Sequence, residues 1–197
     1  MKDHINIEEI RRGAAVIVCT DTVYGIGVAV CPENADGAEV LYEIKERKHD
    51  KPVAILVGSY DDLFKYGAEV CTQASNLARK YWPGALTIVV KAGAEIPPCF
   101  RANDGSVALR MPNNEKLLSL LHRLECPLAT TSANKSGEVS PAKFSDISKD
   151  FKARVKYFLV DDSAEATRSG VASTIIDARQ ANNIKILRQG DIILEEE

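Results

Sequence analysis

The chain lacks any apolar run of the length a membrane requires. Stretches such as "AAVIVC" at 14 to 19 are far shorter than the roughly 18 to 20 residues of a span. The opening "MKDHINIEEIRRG" has neither the apolar centre nor the small-residue cleavage site of a secretory signal, so a cytoplasmic location is expected. Its five cysteines, Cys19, Cys31, Cys71, Cys99 and Cys126, are odd in number, scattered and free of any C-x-x-C pair. That pattern fits buried free thiols, not disulfides or zinc. With only His4, His49 and His122, a histidine metal centre is not expected.

Common catalytic signatures are also missing. There is no G-x-x-x-x-G-K-[ST], no G-x-S-x-G and no H-E-x-x-H, and Gly25 with Gly27 lacks the third glycine of a dinucleotide loop. A formal net charge of −3 gives no compositional argument for nucleic-acid binding. Local charge is different: "KERKHDK" at 45 to 51 sets four Lys or Arg against two acids.

What the 197 residues do contain is ordinary globular material, 45% hydrophobic and 27% charged, enough to bury a substantial core as one domain over 1–197. Apolar periodicity predicts helices near 5–12, 36–47, 61–66, 72–81 and 113–126. Short Val- and Ile-rich runs predict strands at "AAVIVCT", "VAILV", "ALTIVVK", "SVALR", "PLATT", "KYFLV", "STIID" and "IKILR". The first strand is expected to break at "DTVYGIG", where two glycines permit a turn or a close backbone approach. The crowding of short strands after residue 84 favours an α/β fold with a mixed sheet over a doubly wound parallel one.

The strand ends carry hydroxyls, amides and isolated cations: "TDTVYG", "KERKHDKP", "SVALR", "TTSANKSG", "STIID" and "LRQG". Such a set, without an obvious nucleophile or general base, suits anionic ligands and catalysis by positioning and charge neutralisation. Phosphoryl and nucleotidyl transfer have that character.

With "YWPGALTIVV" and "SVALRMP" added, these motifs stand in the order and spacing of the threonylcarbamoyl-adenylate synthases, and the chain resembles that YrdC/Sua5 family from about residue 8 to 190. It looks like the short, single-domain form. The resemblance implies a twisted mixed sheet with flanking helices and a basic concave site. It implies formation of threonylcarbamoyl-AMP and pyrophosphate from L-threonine, bicarbonate and ATP, for N6-threonylcarbamoyladenosine at position 37 of tRNA. Mg²⁺ is expected on the phosphates with no dedicated protein metal site, and a separate threonylcarbamoyl transferase complex is expected downstream. Direct contact with tRNA or double-stranded RNA stays open.

By the same resemblance, Thr22, Arg110, Ser132 and Ser173 are expected to hold threonine, and Lys45, Arg47, Lys51, Ser106, Asn134 and Arg188 to hold ATP. Ser132 and Asn134 are expected to share one face of an extended stretch, and residues 140 to 142 to approach the nucleotide through backbone. The chain departs from the family's pattern at Cys19, where a proline is usual, at Leu56, where a histidine is frequent, and at Lys51, where asparagine is usual. Two other readings compete: an RNA-binding module using the basic concavity, and carbamoyl-adenylate chemistry as in hydrogenase-maturation carbamoyltransferases.

Overall fold

A computed structural model describes residues 5–34, 36–46, 53–161, 163, 168–181 and 183–194. Its strands are β1 (Val16–Val18), β2 (Gly25–Ala29), β3 (Ala54–Leu56), β4 (Gly67–Ala68), β5 (Leu86–Ala92), β6 (Ser106–Arg110), β7 (Leu128–Ser132), β8 (Tyr157–Leu159), β9 (Thr174–Asp177) and β10 (Lys185–Arg188). They join one sheet in the order β10-β9-β5-β6-β3-β7-β2-β1-β8, with β4 paired to β5. The pairs β1·β8, β3·β6 and β5·β9 are parallel. The others are antiparallel, so the sheet is mixed, as the crowded short strands predicted.

The helices are α1 (Ile7–Arg11), α2 (Gly37–Lys45), α3 (Asp62–Tyr66), α4 (Thr72–Tyr81), α5 (Glu115–Leu124) and α6 (Lys149–Ala153). Local chemistry sets their ends. Asn114 Oδ1 accepts the Leu117 N–H at 2.9 Å and so caps α5. The last turn of α2 closes on Glu46 in the left-handed region (φ 52°), which leaves Lys45 at the helix end beside β7. Among the described residues no helix is long and apolar enough to cross a membrane.

The first strand ends at Val18 and the chain breaks through 19–24 as expected, and "GIGVA" resumes as β2, paired with β1 on one side and β7 on the other. The glycines serve close approach within the sheet: a Cβ on Gly27 would lie 2.8 Å from the Thr130 methyl, and one on Gly25 would lie 3.2 Å from the Thr131 carbonyl oxygen.

The two faces of the sheet differ in side-chain size. Successive residues of a strand alternate between faces. One face carries Ile26, Val28, Ile55, Ile88, Val90, Val107 and Leu109, all buried in the core. The other carries Gly25, Gly27, Ala54, Thr87, Ala108, Thr130 and Ser132, which the cross-strand register sets side by side. Large aliphatics hold the fold on one side, and small residues leave a depression on the other.

Candidate functional site

That depression is a cavity of about 240 Å³. Its rim comes from the turn carrying Thr20, Thr22 and Val23, the end of β7, the loop at Ser140, Ser173 just before β9, and Arg188 at the end of β10. The turn is stiff because Thr20 Oγ1 accepts the N–H groups of Thr22 (3.1 Å) and Val23 (3.2 Å) and donates to the Val23 carbonyl (2.7 Å).

Arg110, at the end of β6, is the buried cation of the cavity. Nε donates to the Gly84 carbonyl at 3.0 Å, Nη1 to Thr22 Oγ1 at 2.9 Å and Nη2 to Asp21 Oδ1 at 2.7 Å. Burial pushes its pKa down, opposed by the carboxylates of Asp21 and Asp191. The three bonds use one N–H each, so each terminal nitrogen keeps one N–H for a carboxylate or phosphate oxygen.

Arg188 lies across the cavity and is held by Ser173: Nε donates to the Ser173 carbonyl at 3.0 Å, and Nη2 donates to that carbonyl at 2.8 Å and to Ser173 Oγ at 3.2 Å. Its pKa is lowered by burial and then by the charge of Arg110. Two guanidinium groups that repel each other across a small cavity favour an anionic ligand between them. Ser173 Oγ also shares a 2.7 Å hydrogen bond with Thr87 Oγ1.

Lys45 is buried at the end of α2. Its Nζ donates to the Ser132 carbonyl at 2.5 Å and lies 3.4 Å from both Ser132 Oγ and Asn134 Oδ1. The cluster ties α2 to the end of β7 and places a cation beside the cavity.

The four residues assigned to threonine, Thr22, Arg110, Ser132 and Ser173, all line this one cavity, and Arg188 lines it with them. Lys45 touches its edge through Ser132. Asn134 lies beyond the strand, which ends at Ser132, and its N–H turns back to the Ser132 carbonyl at 2.9 Å, while its Oδ1 still reaches the same Lys45 Nζ as Ser132 Oγ. Its amide nitrogen donates to the carbonyls of Lys135 (3.1 Å) and Glu138 (2.7 Å), shaping the following loop. The extended stretch thus ends at Ser132, yet the two side chains meet at Lys45.

Ser106 is on the same sheet face as Arg110 but at the other end of β6, about 13 Å away for four strand residues. It lines a neighbouring cavity of about 350 Å³ with Ala108, Val89, Leu187, Arg101 and Arg179. Its hydroxyl donates to Asp104 Oδ1 at 2.6 Å. Arg179 at that rim pairs with Asp177 and Asp104. Arg47 and Lys51 lie outside the described residues.

The two described departures also have a place. Leu56 lines the cavity opposite Arg110 in the β3·β6 register, adding apolar wall there. Cys19 is buried with its thiol against Asn114 Oδ1 (3.6 Å), and burial pushes its pKa up to about 12. Sequence reasoning missed Thr20 and Thr87, whose lone hydroxyls looked like ordinary turn and strand residues. The alternation in "LTIVV" was the available signal, since it sets Thr87 opposite the buried Ile88.

A mixed sheet with small hydroxyl residues and two arginines on one face has the donors to hold a small carboxylate- or phosphate-bearing ligand. The chain belongs to the Sua5, YciO and YrdC family, whose model, described as "Telomere recombination", matches residues 8–190. It is 36% identical over 187 residues to the threonylcarbamoyl-AMP synthase of Pyrococcus abyssi (strain GE5 / Orsay), covering 95% of this chain and 53% of that protein. It is 32% identical over 189 residues to the threonylcarbamoyl-AMP synthase of Bacillus subtilis (strain 168), again covering 95% and 53%. The crystal structure of P. abyssi Sua5 complexed with L-threonine superposes with a TM-score of 0.84 at 34% identity, over 93% of this chain and 52% of that one. The chain thus spans about half the length of these relatives.

Proposed function

We propose that this chain forms threonylcarbamoyl-AMP and pyrophosphate from L-threonine, bicarbonate and ATP in the cytoplasm. The observation that carries the reading is the convergence of Thr22, Arg110, Ser132, Ser173 and Arg188 on one cavity. The likeness to synthases, and to a relative whose structure holds L-threonine, supports it.

In this reading the free N–H groups of Arg110 grip the threonine carboxylate, and the hydroxyls of Thr22, Ser132 and Ser173 surround the rest of the amino acid. The threonine amine adds to the carbon of bicarbonate and, with loss of water, becomes a carbamate. A carbamate oxygen then bonds to the α-phosphorus of ATP as the bond to the β-phosphate oxygen breaks and pyrophosphate leaves. The substrate supplies the nucleophile, so the protein's work is to bring the groups together and offset charge.

Arg188 and Lys45 are the described cations beside the α-phosphate region, and Arg47 and Lys51 are assigned to the same triphosphate. An ATP molecule reaching from Arg188 toward Ser106 would follow the sheet face from the first cavity into the second. Asn134 would act on it through the 135–138 loop that its amide holds. Mg²⁺ would enter on the triphosphate, bound by phosphate oxygens and water. Among the described residues no three His, Cys, Asp or Glu come together as a metal cluster. The product would pass to a transferase acting on tRNA.

The test is pyrophosphate release by purified protein with ATP, Mg²⁺, bicarbonate and L-threonine, omitting each in turn. Release that requires both threonine and bicarbonate is expected. Release with carbamoyl phosphate in place of both would point to carbamoyl-adenylate chemistry, and no release with salt-sensitive tRNA binding would point to an RNA-binding role.

A further inference from the structure

Arg168 lies outside the family motifs and does not line the cavity, yet it is among the most deeply placed charges of the chain, at 9% exposure. Its Nε donates to the Thr20 carbonyl at 2.8 Å and its Nη1 to the Ala142 carbonyl at 2.6 Å. The guanidinium lies 4.3 Å from the centroid of the buried Tyr24 ring. Nη2 is buried and has no acceptor among the described residues.

These contacts join two segments that lie side by side at the rim of the cavity. Thr20 begins the turn that carries Thr22, and Ala142 follows the loop that brings Ser140 to the rim. Backbone bonds run alongside: Tyr24 N–H to the Pro141 carbonyl (2.8 Å), Ser169 N–H to the Asp21 carbonyl (3.3 Å) and Gly170 N–H to the Thr22 carbonyl (3.0 Å). Gly170, at φ +72°, brings the chain against Ala142, whose Cβ would be 3.5 Å from a Cβ placed on the glycine.

We infer that Arg168 is a positioning residue for the synthase reaction, setting the distance between the Thr22 turn and the Ser140 loop. This rests on the function proposed above. Two carbonyls and a ring face could be covered by an apolar side chain without burying a charge. A guanidinium whose Nη2 has no acceptor among the described residues is the costlier solution for stability. What it adds is directional: a rigid planar group fixes two carbonyls and a ring at once, where an aliphatic chain would let the two loops slide. Displacements on the order of 1 Å at such a distance are enough to cost about a hundredfold in rate.

The experiment compares wild type, Arg168→Met and Arg168→Lys by amide hydrogen exchange, thermal melting and pyrophosphate release. In Arg168→Met the Tyr24 and Gly170 amides should exchange about tenfold faster while those of β5 stay unchanged, as expected for loss of a local restraint. The melting midpoint should stay close to wild type. KM for threonine and ATP should rise about tenfold with a smaller change in kcat, because the binding groups are misplaced and not removed. Arg168→Lys, which can reach one carbonyl, should fall between the two.

Unchanged exchange at Tyr24 and Gly170, or faster exchange with unaltered KM, would overturn the inference. So would failure of both variants to fold, which would make Arg168 a stability residue only. An inert wild-type protein would sink the synthase reading separately, and the exchange comparison alone would then decide whether Arg168 sets the loop spacing.

Discussion

The ion pair between Arg110 and Asp21 lends itself to a quantitative test. Its side chains are 7% and 18% exposed, and Nη2 is 2.7 Å from Oδ1, so it belongs among buried pairs, not surface ones. Removing one partner of a buried pair leaves the other charge uncompensated, which typically costs about 3–5 kcal/mol. The residual exposure of Asp21 and the nearby Asp191 carboxylate place Asp21→Ala at the low end, about 3 kcal/mol. For a chain of this size that is a fall in Tm of about 6–12 °C. Asp21→Asn keeps an oxygen to accept from Nη2 and loses only the charge, so it should cost about half as much.

Urea denaturation of the three proteins, read by far-UV circular dichroism, measures the stability difference without reference to activity. Asp21→Ala should also raise KM for L-threonine, because Arg110 loses the acceptor that holds its Nη2 and with it the alignment of its remaining N–H pair, and Asp21→Asn should raise it less. An Asp21→Ala protein within about 0.5 kcal/mol of wild type would refute the buried-pair reasoning. A destabilised variant with unaltered threonine dependence would instead show that Arg110 is not the carboxylate grip.

Gly190→Ala should loosen the segment that carries Arg188, because its new Cβ would fall 2.2 Å from the Ala172 carbonyl oxygen and 2.5 Å from the Thr174 nitrogen, both backbone atoms. A loss of about 1–3 kcal/mol with a raised KM for ATP is expected, and unchanged ATP use would show that Arg188 does not depend on this contact. Burial pushes the thiols of Cys19 and Cys126 up to about 12, so neither should react with iodoacetamide at pH 8 until the protein unfolds. Mass spectrometry of briefly labelled native protein checks this, and labelling of either in the folded state would contradict it. The Asp177 carboxyl is held below its ordinary value, foremost by hydrogen bonds from Arg179. Its stabilising contribution is therefore full above the unfolded Asp pKa and is lost as pH falls through the lower folded value. Denaturation between about pH 2 and 4 should be less pH-dependent in Asp177→Asn than in wild type.

Much of this was legible in the sequence because strand alternation and the strand-end motifs coincide. The mixed sheet followed from the spacing of short apolar runs, and Thr22, Arg110, Ser132, Ser173 and Arg188 converge as the motifs implied. What was not legible depended on where a strand stops or what lies beside it. The glycines of "GIGVA" left turn and close backbone approach open, and only the proximity of β7 decides for the second. Alternation was extended past Ser132 to Asn134, whereas the strand ends at Ser132 and a backbone bond folds the next residues back on it. Arg168 had no local signal, since its partners Thr20 and Ala142 are distant in sequence and are backbone carbonyls that any residue could offer.

The same alternation explains how one sheet carries both the core and the cavity. In "SVALR" Val107 and Leu109 enter the core while Ser106, Ala108 and Arg110 face the opposite side, and in "GIGVA" Ile26 and Val28 do so while the glycines leave space. Each buried aliphatic contributes roughly 1.5–3 kcal/mol, so the core face alone can support strands whose other face is too small to pack. That surplus lets the cavity face and its edge hold arrangements that stability alone would not select: two arginines that repel each other and a buried lysine between hydroxyl and amide. Such groups gain from a bound anion or from exact loop spacing, and neither gain appears in the folding free energy of the empty protein. Their concentration on the one sheet face built from small residues is the physical ground for placing function there.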